Sequence, residues 1–260
     1  MTATLLLLGL VGLQSTSHPG FAHNDYVHSR PLLEAWENGF RYVEADVFLV
    51  DGKILVAHDL KDVKADRTLT SMYLEPLSKL PLRKRSTSPF WLMVDIKANG
   101  AAVYSALEKE LAKFQSMLVK WTDAGPSSGR VAIVLSGDRP VAQVASQKER
   151  WVAIDGRPED LEKNPSIGLV PWISTSYLGF KWPPGVGKIE NWNAALKEYV
   201  DKAHGQRRKV RFWAIPDSPA SWKMQLDLGI DMINTDKPKE FVKWFELVKP
   251  SGSRNRSLVR

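Results

Sequence analysis

Glu44, Asp46, His58, Asp95 and Lys97 are the residues whose types and spacing could do chemistry together. In residues 43–59, VEADVFLVDGKILVAHD, side chains two apart share a face of extended chain. Glu44 and Asp46 therefore project together, while Val43, Ala45 and Val47 project the other way. Asp51-Gly52 is a two-residue turn signal, which folds residues 54–57 back and carries His58 and Asp59 towards the acids. Two carboxylates with a returning histidine suit a metal site with a proton carrier beside it. Taken alone, the stretch reads as well as a surface hairpin with solvated acids.

The elements that must position these residues alternate along the chain. Residues 19–23 are expected to form a strand that ends in AHNDY. A helix follows, with Ser29 as its cap, Pro31 in its first turn and Leu32, Leu33 and Trp36 on its apolar face; Asn38-Gly39 stops it. Residues 60–89 read as a long connection with a short helix near 71–79. Residues 90–97, FWLMVDIK, form a buried strand on which Asp95 and Lys97 share a face. From Gly100 a helix carries Val103, Leu107, Leu111, Phe114 and Leu118 as one stripe. Further strands are expected at 131–136, 151–155, 169–174, 210–215 and 231–234, with helices at 140–147, 191–203, 220–228 and 238–248. Eight strands in about 230 residues predict an α/β fold of the closed (β/α)8 type. An open nucleotide-binding sheet is not signalled, since neither GxGxxG nor GxxxxGKS is present.

In a barrel, polar residues at the C-terminal strand ends converge on one site. Here these are His23, Asn24 and Asp25 after the first strand, Glu44 and Asp46 on the second, His58 on the return, Asp95 and Lys97 on the third, Trp213 on the seventh, and Thr235 and Asp236 after the eighth. Three carboxylates in one small volume are costly without a cation. One divalent ion together with Lys97 would restore neutrality, and an all-oxygen donor set favours Mg²⁺, or Ca²⁺, over zinc.

This order of residues, with the late segment GIDMINTDKP, resembles the PI-PLC-like phosphodiesterase superfamily, which includes glycerophosphodiester phosphodiesterases and spider-venom sphingomyelinase D. The closer resemblance is to the altered inheritance of mitochondria protein 6 family, through HNDY, RPLLEAWENGF, VEADVFLVDGKILVAHD and RTLTSMYLEPL. It implies a distorted TIM barrel and a metal-dependent phosphoric diester hydrolase acting on a small-molecule or lipid phosphodiester. By the same resemblance Glu44, Asp46 and Asp95 would hold the metal and His23 and His58 would be the catalytic pair. Lys97, Trp213 and Asn24 would contact substrate. Two departures matter. The first histidine lies in AHNDY and not His-Arg-Gly, so the arginine that grips phosphate in glycerophosphodiester phosphodiesterases is missing. Asp95 stands where those enzymes usually carry Glu, and Asp95-x-Lys97 is more like sphingomyelinase D. The alternative is a barrel that binds phosphorylated ligands or lipid headgroups without cleaving them.

The apolar run 3–13 suits a signal-peptide core and is too short for a membrane span, so residues 1–17 are expected to direct export to a secreted or periplasmic location. Zero cysteines exclude a disulfide scaffold and a thiolate zinc site. The net charge of +7 resides mostly in Arg83-Lys84-Arg85 and in Arg254, Arg256 and Arg260. Neither cluster interleaves aromatic residues, so no nucleic-acid partner is expected. Residues 18–249 are expected to form one barrel domain that acts as a monomer, with 250–260 a disordered basic tail.

Overall fold

Period-two alternation of side chains builds the molecule. The structure is a computed structural model and describes residues 18–81, 88–179 and 189–249. The expected leader, the Arg83-Lys84-Arg85 cluster, the aromatic residues Phe180 and Trp182, and the basic tail lie outside the described residues. Eight parallel strands run in chain order: β1 Gly20–Ala22, β2 Tyr42–Val50, β3 Phe90–Ile96, β4 Val131–Gly137, β5 Val152–Gly156, β6 Trp172–Ser176, β7 Lys209–Trp213 and β8 Met232–Thr235. Each pairs with its sequence neighbours, and β1 pairs with both β2 and β8, so the sheet closes. The fold is the expected (β/α)8 TIM barrel. Its distortion is a return strand, Lys53–Val56, which pairs antiparallel with the end of β2 from Val50↔Lys53 to Val47↔Val56. Asp51 and Gly52 both have positive φ, 49° and 75°, the backbone that a two-residue hairpin turn requires.

The two faces of the strands bury two separate cores. Val43, Ala45, Val47, Leu92, Val94 and Ile96 face outwards and pack with the helix Gly100–Leu111 through Val103, Leu107 and Leu111. Phe21, Tyr42, Trp91, Met93, Ala132, Val134, Ala153, Trp172 and Met232 face inwards and fill the barrel. Trp121, on a small hairpin of Trp121–Thr122 against Gly125–Pro126 that the sequence did not signal, joins this inner cluster with its ring 5.8 Å from that of Trp91. The N-terminal end of the barrel is thereby plugged with aromatic rings. On β2 and β3 the alternation that puts Tyr42, Trp91 and Met93 inside must also put Glu44, Asp46 and Asp95 inside, at the C-terminal end.

Several local expectations shift. The first helix is only Leu33–Glu37 and Ser29 does not cap it; instead the buried Asp25 carboxylate accepts the Leu32 amide at 2.6 Å, with Leu32 at φ 63°. This long-range bond replaces the local cap. The chain near residue 71 forms a π-turn, Thr70–Leu74, running into Glu75–Lys79. Leu118 leaves the helical stripe and bridges to Val131. The final helix spans Pro238–Val248 as expected.

Gly137, the last residue of β4, has φ +68°, and a Cβ there would lie 2.2 Å from the Ile96 carbonyl and 2.9 Å from Asp95 Oδ1. Gly137→Ala is therefore expected to lower stability by about 1–3 kcal/mol and to displace the Asp95 carboxylate. Chemical denaturation checks it, and wild-type stability in the variant would contradict the close approach.

Candidate active site

Glu44 and Asp46 are buried, Asp95 is 15% exposed at its side chain, and one carboxylate oxygen from each lies within 4.8 Å of the others. Asp46 and Asp95 are directly paired across β2 and β3. The barrel brings two cations to this cluster. Lys97 Nζ lies 2.6 Å from Asp46 Oδ2 and 2.7 Å from Asp95 Oδ2. Arg211, on β7, donates to Glu44 Oε2 at 3.1 Å and, through Nε, to Asn234 Oδ1 at 2.8 Å; its guanidinium stacks 4.3 Å from the Phe21 ring centre. Arg211 was absent from the sequence-based set. The available signal was parity, because alternation in KVRFW puts Arg211 on the same face as Trp213.

Histidines stand on both sides of the acids. His23 Nδ1 lies 2.8 Å from Asp236 Oδ1, with the Asn24 amide 3.0 Å from the same nitrogen, and His23 Nε2 is 3.9 Å from Glu44 Oε2. Asn24, at φ 47°, holds its amide oxygen 2.9 Å from the Tyr26 hydroxyl. His58, delivered by the hairpin, has Nδ1 3.0 Å from Asp46 Oδ2 and 3.2 Å from the Tyr26 hydroxyl, which itself donates to Asp46 Oδ2 at 2.8 Å. Tyr26 is a second residue that sequence reasoning passed over. Trp213 stands 40% exposed on the rim. Thr235 and Asp236 are tied to Asp217, through the Thr235 hydroxyl and the Asp236 amide. Asp25 is drawn away from the cluster, bonded to the Leu32 amide and to the Tyr73 hydroxyl. Asp59 pairs only with Lys61, at 3.8 Å, among the described residues.

Burial and like charge dominate the electrostatics. Burial pushes the Glu44 carboxyl up to about 7, with Arg211 and His23 opposing and Asp46 and Asp95 adding to the rise. Burial alone would lower the His23 imidazole, but the Asp236 bond and the field of Glu44 outweigh it and hold the pKa above its ordinary value. Lys97 is raised in the same way, since Asp46 and Asp95 outweigh its desolvation. Asp46 Oδ1 is buried and has no hydrogen-bond partner among the described residues. An orphaned carboxylate oxygen between two further carboxylates is what a hard divalent cation would satisfy, so the donor set fits such an ion.

Two family models match parts of the chain. The AIM6-like phosphodiesterase domain matches residues 14–90, which hold His23, Glu44, Asp46 and His58; the glycerophosphoryl diester phosphodiesterase family matches residues 209–239, which hold Arg211, Trp213 and Asp236. The matches support a resemblance to the PI-PLC-like phosphodiesterase superfamily, with the altered inheritance of mitochondria protein 6 family the nearer likeness. Among its relatives are an altered inheritance of mitochondria protein 6 homolog of Arthroderma benhamiae, 26% identical over 84% of this chain and 81% of the relative, and altered inheritance of mitochondria protein 6 of Eremothecium gossypii, 24% identical over 83% and 66%. The crystal structure of a glycerophosphodiester phosphodiesterase from Agrobacterium tumefaciens superposes with a TM-score of 0.52 at 14% identity, over 87% of this chain and 98% of that one. The likeness is one of fold, a TIM barrel.

The raised Glu44 pKa sets a pH dependence. Between its ordinary value of 4.5 and about 7 the folded chain keeps a proton that the unfolded chain has released, so stability falls as pH rises through that window. Without added metal, the melting temperature is expected to fall between those pH values, and Glu44→Gln is expected to flatten the profile. Added Mg²⁺ should raise melting more at the alkaline end, because the ion binds the ionised site. A parallel Glu44→Gln profile would show that this carboxyl is not the titrating group.

Proposed function

We propose that the protein is a metal-dependent phosphodiesterase whose reaction centre is the end of the barrel lined by Glu44, Asp46 and Asp95. The observation that carries the reading is the three-carboxylate cluster with an orphaned buried oxygen, flanked on either side by a carboxylate-oriented histidine. Glu44, Asp46 and Asp95 would hold one divalent cation, Mg²⁺ by preference or Ca²⁺, and that ion would supply charge neutralisation to the phosphoryl oxygens.

The chain's own groups account for the remainder. Asp236 holds His23 Nδ1 and so turns Nε2 towards the acids, where it accepts the proton of the attacking hydroxyl or itself attacks phosphorus. Asp46 and Tyr26 hold His58 Nδ1, and the opposite nitrogen protonates the leaving oxygen. Lys97 steadies Asp46 and Asp95 and lines the phosphate pocket, while Asn24 and Trp213 line its mouth. Arg211 takes up the positive role that the missing His-Arg-Gly arginine left open. With two cations besides the metal, the three acids leave a charge balance suited to a phosphodiester monoanion. Attack by a hydroxyl of the substrate gives a cyclic phosphate, and attack by water gives a monoester.

A small-molecule or lipid substrate fits the rim. Exposed apolar side chains there are Val27, Leu60, Leu178 and Trp213, at or beyond the C-terminal ends of the strands. No helix among the described residues is long and apolar enough to cross a membrane. Export remains part of the proposal on the apolar run 3–13 alone, and action as a monomer is proposed with it.

His58→Ala and His23→Ala are each expected to lower turnover of bis-p-nitrophenyl phosphate or glycerophosphocholine by about 10²- to 10⁴-fold with unchanged melting, and chelation should abolish activity. Wild-type turnover in either variant would remove that histidine from the mechanism. Metal-dependent binding without any turnover in the wild type would favour the non-catalytic barrel instead.

A further inference from the structure

A cavity of about 380 Å³ lies at the N-terminal end of the barrel, the end opposite the three acids. That is the size of a small-molecule site, for which the range is about 300–1,000 Å³. Its walls come from the segments that lead into the strands: Pro89 and Trp91 at the start of β3, Val119 and Trp121 before β4, Pro171 before β6 and Lys209 at the start of β7. Ile167 and Arg207 also line it. Trp91 and Trp121 belong to the aromatic plug, so the cavity sits against the outer side of that plug. The lining is apolar apart from three serines and two cations, and among the described residues no carboxylate lines it.

The two cations are unequally matched. Lys209 bonds the Tyr42 hydroxyl and meets Asp231 at 3.9 Å, although that carboxylate is already held by His204 at 2.8 Å and by the Val210 amide at 2.9 Å. Arg207 is exposed, and its side chain has no hydrogen bond or ion pair among the described residues. Its backbone has φ 61°, a left-handed conformation that glycine or asparagine adopts more readily, so turn formation does not explain an arginine there. The indoles set the shape of an occupant. Trp91 donates its N–H to Ser88 Oγ at 3.3 Å, and its ring centre lies 5.8 Å from that of Trp121. The Trp121 N–H is buried and has no acceptor among the described residues, which is unfavourable until an acceptor is supplied. Indole and proline rings offer flat apolar surface that a ring-bearing molecule covers well, and a guanidinium without a partner favours one anionic group on that molecule.

We propose that this cavity is a second ligand site, separate from the three acids, which takes a small aromatic carboxylate: the ring lies against Trp91 and Trp121, and the carboxylate meets Arg207. The inference does not rest on the phosphodiesterase reading, since no residue of the reaction centre lines the cavity.

Calorimetric titration of the full chain with 1-naphthoate tests the site, with quenching of tryptophan fluorescence as a second readout. The acid is expected to bind, and its uncharged counterpart 1-naphthalenemethanol to bind about threefold to tenfold more weakly, the worth of one exposed charge-assisted contact. Arg207→Asn, which suits the left-handed backbone, should erase that preference for the acid without lowering the melting temperature. Ile167→Trp narrows the cavity and should abolish binding of both probes. No binding by wild type, equal affinity for acid and alcohol, or wild-type binding in either variant overturns the site; if Ile167→Trp does not fold, Arg207→Asn decides alone. No turnover is required for this measurement. Absence of phosphodiester cleavage would sink the proposed activity and leave this site standing; absence of naphthoate binding would do the reverse.

Discussion

Three carboxylates gathered at the end of a barrel interior repel one another and are partly stripped of water, and the rest of the site is arranged around that constraint. Lys97, the residue after β3, bridges Asp46 on β2 and Asp95 on β3, while Arg211 crosses the barrel from β7 to reach Glu44. Each arrives already anchored, Lys97 by its backbone amide on the Val47 carbonyl and Arg211 by Asn234 and the Phe21 ring. Fixed countercharge of this kind lowers the cost of assembling the acids without removing their appetite for a cation. The orphaned Asp46 Oδ1 and the raised Glu44 pKa are two signs of the same residual imbalance.

The opposite end of the barrel is filled with aromatic rings. Trp91, Trp121 and Trp172 pack with Tyr42 and Phe21 into a plug, with the Trp91 and Trp172 rings 5.0 Å apart. Above it Trp172 turns its indole N–H to Asp155 at 2.6 Å, so the apolar floor is bonded to the polar layer. Burial pushes the Asp155 carboxyl up, but Arg157, Arg211 and its hydrogen bonds outweigh that and keep it below its ordinary value. A rigid floor joined to a hydrogen-bonded upper layer is the support that a geometrically demanding site requires.

The expectations that held were those set by short-range geometry. Alternation alone put Glu44 on a face with Asp46 and Asp95 on a face with Lys97, and Asp51-Gly52 alone set a hairpin that returns His58 to within 3.0 Å of Asp46. Those that moved depended on partners far away in sequence. Ser29 looked like a helix cap because local rules see only its neighbours; the buried Asp25 took the Leu32 amide instead. Arg211 and Tyr26 gave no motif, because each acts through a residue far from it in sequence.

The amino-acid sequence by itself determined the number and order of strands, the inward face of each and the supply of acids at one end, because these follow from a two-residue period and from turn chemistry. Only the tertiary structure decided which cation meets which acid and which carboxylate orients each histidine. Those matters depend on barrel closure, which pairs β8 with β1 and so brings β7 within reach of β2, and no local rule of sequence contains that distance.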